Sequence, residues 1–305
     1  MCIDISRPAQ TTSNSRSHNR KFLEMKPQLP FLELMLSSVC NLVCQGCSTY
    51  SDIPSRGYTP WSEIRSWLEQ WQQKFDIEDI GPMGGEPLIY PDIMQLLRDV
   101  RAMFPNSKIR FPTNGLLLHK HWDVVDWLYQ DGNATLKITA HLDHPELETS
   151  IERVWSAYDW QPVHEYGIDR WRTETGLRFQ INRPEIFTQT FHGTYETARP
   201  WNSDPSAAFA NCHQTTCPLL YHGRIYKCST SALLPDALAR YGSPNKDQWD
   251  QYFNNNTNGS VGLESSAEDI QQFADNFGQP HMICRQCPTS QDDCYVPHSR
   301  LVKFR

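Results

Sequence analysis

Leu32-Glu33-Leu34-Met35-Leu36 is followed almost at once by Cys40-Asn41-Leu42-Val43-Cys44-Gln45-Gly46-Cys47. The first stretch reads as a buried strand, and the second puts three thiols on the loop that leaves it. The residues downstream decide which kind of sheet that strand belongs to. Thr59-Pro60 offers an N-cap and a proline at the first helical position. Trp61, Ile64, Leu68 and Trp71 then recur at offsets of three and four, which predicts a helix from Trp61 to Phe75. Ile77 to Met83 reads as a second strand, Asp92 to Phe104 as a helix, and Lys108 to Pro112 as a third strand. A helix over Trp122 to Tyr129, a strand over Thr135 to His141, a helix around Leu147 to Trp155 and a strand over Leu177 to Ile181 extend the alternation. Such repetition implies an α/β fold of parallel strands with right-handed helical crossovers.

In these sheets chemistry collects in the loops that leave the C-terminal ends of strands. The cysteine triplet follows the first strand, Gly84-Gly85-Glu86-Pro87 the second, and Thr113-Asn114-Gly115 the third. All three are thereby placed on one rim.

The chain has 305 residues, and 28 basic against 35 acidic side chains leave a net charge of −7. An acidic protein gains little from counterion release on nucleic acid, so no nucleic-acid partner is expected. No apolar run approaches the length of a bilayer crossing, so no membrane association is expected either. Residues 1–27 are rich in Ser, Asn and Arg and read as a mobile tail with no apolar signal segment, which points to the cytoplasm and to reduced thiols. The expected organisation is a core over 28–200 and a smaller cysteine-rich domain over 201–305. Within the latter, residues 243–262 read as a loop.

Zinc sites usually combine a close pair of ligands with a distant pair. Three thiolates on one loop suit three corners of a [4Fe–4S] cube, whose fourth iron then has no protein ligand. The CxxxCxxC spacing after the first strand resembles the radical S-adenosylmethionine (radical SAM) superfamily, and Gly84-Gly85-Glu86-Pro87 is similar to that family's GGEP motif. The resemblance covers about residues 30–190 and implies a partial (β/α)6 TIM-like barrel. It also implies that Cys40, Cys44 and Cys47 hold a [4Fe–4S] cluster whose open iron chelates SAM. An electron from the cluster would release methionine and a 5′-deoxyadenosyl radical, which abstracts hydrogen from a peptide or small-molecule substrate. A flavodoxin or ferredoxin would supply the electron. Gly84, Gly85, Glu86 and Pro87 are the implied SAM-binding loop, with Asn114 and Thr139 as candidates for ribose or carboxylate contacts. On this reading Gly85→Val weakens SAM binding while the cluster still assembles.

One departure stands out. Many family members carry an aromatic residue just before the third cysteine, and this chain has Gly46 there. Gln45, Tyr50 or a residue from another strand is expected to cover the adenine instead. His141 and His144 are weighed as metal ligands or acids, although a polar loop accounts for them as well. The tryptophans from Trp155 to Trp171 read as packing.

Cys212, Cys217, Cys228, Cys284, Cys287 and Cys294 form a second group. Gly223, five residues before Cys228, suits a tight hairpin. This pattern resembles the start of the SPASM and shortened twitch extensions, which hold auxiliary iron–sulfur clusters. It implies an auxiliary [4Fe–4S] cluster in a small α+β extension. Cys228, Cys284 and Cys287 are its leading ligands, with Cys212, Cys217 or Cys294 completing the set. The alternative is a non-catalytic zinc or iron–sulfur protein.

Overall fold

A computed structural model describes residues 26–54, 57–165, 168–242, 246–254, 259–292, 294–297 and 300–302. Apart from Lys26 and Pro27, the N-terminal tail lies outside the described residues. The chain begins with β1 (Gln28–Leu29), β2 (Leu32–Ser37) and β3 (Leu42–Cys44). Helices and strands then alternate: α1 (Trp61–Trp71) with β4 (Asp76–Ile77) and β5 (Asp79–Gly84), α2 (Ile93–Met103) with β6 (Lys108–Thr113), α3 (Trp122–Asp131) with β7 (Ala134–Thr139), and then α4 (Pro145–Ala157). The next strands are β8 (Gln161–Glu165), β9 (Ile168–Arg172), β10 (Arg178–Asn182) and β11 (Ile186–Thr188). The remainder holds α5 (Pro205–Ala210), β12 (Leu219–Tyr221), β13 (Arg224–Tyr226), α6 (Ser229–Tyr241) and α7 (Lys246–Phe253). It ends with β14 (Ser260–Val261), α8 (Ala267–Asp275), β15 (Tyr295–Pro297) and β16 (Arg300–Val302).

The main sheet has the order β14-β13-β12-β2-β5-β6-β7-β10-β9-β8. From β12 to β10 every neighbouring pair is parallel, as the alternation requires. The outermost strands on both sides are antiparallel. Strand β2 is buried along its whole length. Leu32, Leu34 and Leu36 pack into the core shared with α1 to α4, while Met35 joins a second core with Leu219, Leu233 and Trp249. A strand covered on both faces is mostly apolar, and four of its six residues are, with Glu33 and Ser37 the buried polar exceptions.

Two segments depart from the sequence expectation. The stretch after Trp155 forms the β8–β9 hairpin, and its tryptophans pack as expected. Trp155 lies edge-on to Trp160, Trp171 and Phe179, with ring centroids 6.0, 4.7 and 5.5 Å away. Residues 243–262, read as a loop, instead carry α7 and β14. Burial of Trp249 and Tyr252 outweighs the poor propensity of the Asn- and Gly-rich flanks.

Strand β12, from the C-terminal third, pairs in parallel with β2 and brings that third into the main sheet. Its turn into β13 has φ of 47° at His222 and 76° at Gly223, the two left-handed residues of a tight hairpin. Trp71, fully buried on α1, donates its indole N–H to Gly223 O at 3.0 Å. Trp71→Phe should therefore cost about 1–3 kcal/mol by leaving that carbonyl unpaired. Urea denaturation would measure it, and an unchanged midpoint would show that the turn does not rely on this bond.

Candidate active site

The loops leaving β2, β5, β6, β7 and β10 enclose a cleft of about 540 Å³. Cys40, Cys44 and Cys47 line it together with Gly84, Gly85, Glu86, Pro87, Thr113, Asn114 and Thr139, whereas Gly115 does not line it. The cysteine loop is held from outside by β16, which runs antiparallel to β3 with Arg300 opposite Cys44. From inside it is held by β5, where Gly85 N–H donates to Ser37 O and Glu86 N–H to Val39 O, both at 2.9 Å.

The glycines serve this contact. A Cβ on Gly84, at φ +157°, would lie 2.4 Å from Ser37 O. One on Gly85 would lie 2.1 Å from Val39 O and 2.8 Å from Cys40 Cβ. The expectation that Gly85→Val disturbs only ligand binding is therefore corrected, because any side chain there pushes on Cys40 itself.

Glu86 is buried and ties its own turn to the end of β6. Its Oε1 accepts from Leu88 N–H at 3.0 Å and from the Thr113 hydroxyl at 2.8 Å, and its Oε2 accepts from Asn114 N–H at 2.7 Å. Pro87 follows as the first residue of a short 3-10 turn that Glu86 caps. Asn114 Nδ2 donates to Asn41 Oδ1 at 2.7 Å, so this amide also faces the cysteine loop. Thr139 sits at the end of β7, opposite Asn182 on β10. His141 lines the cleft, whereas His144 caps α4 by accepting from Glu146 N–H at 3.3 Å and does not line it. Asn182, Arg183, Met83 and Phe187 also line the cleft and were not singled out. Asn182 ends a strand and was legible on that ground, but Phe187 had no local signal.

A second cavity of about 130 Å³ is lined by Cys212, Cys228, Cys284 and Cys287. Cys212 follows α5, Cys228 is the N-cap of α6 just after β13, and Cys284 lies within a 3-10 turn over Met282–Gln286 that Cys287 caps at its C-terminal end. The other two candidates do not join them. Cys217 is buried and does not line that cavity. Cys294 is buried with its thiol 3.9 Å from Thr289 O, and it does not line that cavity either.

Burial pushes the Cys40 thiol up, with Glu86, Cys47 and Cys44 adding to the effect. Burial likewise lifts Cys212 to about 12 and raises Cys284 and Cys287, each further raised by the neighbouring thiols. Thiols gathered in this way ionise when a metal replaces their protons. Among the described residues no three or more His, Cys, Asp or Glu side chains are arranged to hold a single ion. Thiols that line a common cavity can serve as ligands to an iron–sulfur cluster, and both cysteine sets meet that condition.

Gly85→Ala should lower the iron bound on anaerobic reconstitution relative to the parent protein, and unchanged iron would show that the loops yield. Glu86→Gln should cost about 1–3 kcal/mol, since its amide nitrogen would meet the Asn114 N–H donor. Burial raises Glu86 from 4.5 to about 7, so its stabilising contribution is complete below 4.5 and is lost as pH rises through about 7. The variant should accordingly show a shallower decline in unfolding free energy between pH 5 and 8, measured by denaturant titration.

The model of the radical SAM superfamily matches residues 34–169. A GTP 3′,8-cyclase of Microcystis aeruginosa is 24% identical over 172 residues, which is 52% of this chain and 51% of the cyclase. One from Rippkaea orientalis is 33% identical over 82 residues, 27% of this chain and 24% of that protein. This chain thus spans about half the length of these curated relatives, or less. Among solved structures, BtrN in complex with AdoMet and 2-DOIA aligns with 89% of this chain and 100% of its own, at 13% identity and a TM-score of 0.48. Streptococcus suis SuiB bound to precursor peptide SuiA aligns with 36% of this chain and 24% of its own, at 25% identity and a TM-score of 0.32. With the thiol triplet and the Gly84-Gly85-Glu86-Pro87 loop on one rim of a parallel sheet, residues 34–169 carry the features of the radical SAM superfamily of enzymes, whose model they match.

Proposed function

We propose that the enzyme oxidises a peptide or small-molecule substrate by hydrogen abstraction, using two [4Fe–4S] clusters. Cys40, Cys44 and Cys47 would hold the cluster that binds SAM, and Cys212, Cys228, Cys284 and Cys287 would hold the auxiliary one. When bound, SAM and its cluster supply the reductive carbon–sulfur cleavage that makes hydrogen abstraction from an unactivated carbon feasible. The observation that carries the reading is the pairing of an open three-thiol set with a closed four-thiol set, each lining its own cavity. The cavities share Ser48, Met83 and Phe187, so a single layer of side chains lies between them.

The chain's own residues position and exclude. Glu86 and Asn114 fix the rim through their bonds to β6 and to Asn41. Thr139, Asn182 and Arg183 offer polar contacts opposite the thiols, while Met83, Pro112, Ile181, Pro184 and Phe187 line the cleft with apolar surface that displaces water. Residues 28–200 would form the core and 201–305 the auxiliary domain, with a flavodoxin or ferredoxin delivering the electron.

The tests separate the two sites. Cys44→Ala should abolish 5′-deoxyadenosine formation from SAM and dithionite, and near-parental turnover would sink the first assignment. The triple variant Cys40→Ala, Cys44→Ala, Cys47→Ala, reconstituted without oxygen, should retain about four irons per chain. Stoichiometric zinc with no residual iron would sink the second.

A further inference from the structure

The conformation and surroundings of Gly46 explain why no aromatic side chain stands before the third cysteine. Its φ is +73°, and a Cβ built there would lie 3.1 Å from Phe187 Cβ, 3.1 Å from Val296 Cγ2 and 3.9 Å from Phe187 Cγ. A side chain at 46 would be strained by its backbone and would run into Phe187. The space has been given to a ring from elsewhere. Phe187 is on β11, held opposite Val296 of β15, so both residues that press on Gly46 come from one small antiparallel sheet.

Phe187 lines the cleft of the three thiols, and beside it stands His141, just past the end of β7. The two rings are stacked, with centroids 5.8 Å apart and planes 25° apart. Among the described residues lining the cleft, these two are the aromatic ones. The alternatives considered from sequence lie elsewhere: Tyr50 is buried with its hydroxyl 2.8 Å from Thr190 Oγ1, Gln45 is exposed, and neither lines the cleft. A purine has a π-face that gains from stacking on an aromatic ring, whatever its hydrogen-bonding edge does.

We propose that Phe187, backed by His141, is the aromatic wall against which the adenine of SAM packs, taking the place vacated at Gly46. This rests on the reading of the cleft as a SAM site. Phe187 is then a specificity-determining residue supplied from beyond the matched span of residues 34–169.

The probe is S-adenosylhomocysteine, which carries the adenine and is not cleaved. Its binding to the anaerobically reconstituted holoenzyme is measured by equilibrium dialysis, alongside iron per chain. Phe187→Leu keeps an apolar side chain of similar bulk without a ring, and Phe187→Tyr keeps the ring. With iron unchanged, the Leu variant should bind about tenfold more weakly, and the Tyr variant should bind within about twofold of the parent. Parental affinity in the Leu variant would overturn the proposal, as would equal weakening in both variants. Loss of iron in the Leu variant would overturn it too, by making Phe187 a support of the cysteine loop. If the parent holoenzyme failed to bind the probe, the SAM reading itself would fall, and the proposal with it.

Discussion

The rim depends on a backbone contact that no side chain could survive. Gly84 and Gly85 lie against Ser37, Val39 and Cys40 so closely that a single added carbon would approach carbonyl oxygens to 2.4 and 2.1 Å. Two N–H to carbonyl bonds at 2.9 Å then join the loops into a short ladder beyond the sheet. Glu86 carries the tie onward to Thr113 and Asn114, and Asn114 returns it to Asn41 beside Cys40. Three loops that each follow a different strand are thereby locked into one unit. A ligand set meant for a bulky cluster needs that, because its thiols would otherwise spread apart as they ionise.

The electrostatics of the two thiol sets differ. Around Cys40 the neighbours are Glu86 and the other two thiols, all of which oppose ionisation. Around the four-thiol cavity there is a cation: Lys227 lines it, donates to Phe277 O, and stands 5.0 and 5.3 Å from the centres of the Phe209 and Phe277 rings. Burial pushes the Lys227 ammonium down while Cys284, Cys228 and Cys212 hold it up, so thiolates there and a charged lysine support each other. On the proposed reading, the closed set carries its charge next to a buried counter-ion, and the open set can rely on whatever ligand completes it.

How much of this was legible follows from how local each signal is. The parallel strands were readable because a strand buried on both faces is mostly apolar, as Leu32–Leu36 is, and because α1 repeats its buried residues at 3.6-residue spacing. The rim residues were readable because the C-terminal ends of such strands fall on one side. The packing of Gly84 and Gly85 on Ser37, Val39 and Cys40 was not legible, since sequence says that glycine permits a close approach but not what approaches. Helix α7 was hidden because its stability comes from tertiary burial of Trp249 and Tyr252. Among the six C-terminal cysteines, spacing could not separate the four that share a cavity from Cys217 and Cys294. That choice is made by where α5, the β12–β13 hairpin and the turn over Met282–Gln286 meet.

Phe187 was the least legible residue of all, and the reason bears on how the site is built. It lies in a three-residue strand, too short to carry a periodic pattern. Its importance comes from a pairing partner more than a hundred residues later in the chain, Val296, and from a glycine about as far before it. Because Phe187 borders both cavities, a side chain fixed by the C-terminal segment shapes the N-terminal cleft as well. The two cysteine sets are therefore linked by strand pairings that cross the proposed boundary near residue 200. The C-terminal third contributes a strand to the main sheet through β12, clamps the triplet loop through β16, and positions a wall of the cleft through β15. A cleft assembled in this way cannot be complete in the matched span of residues 34–169 alone, since part of its lining lies at Ile181 to Phe187 and is held in place from beyond residue 290.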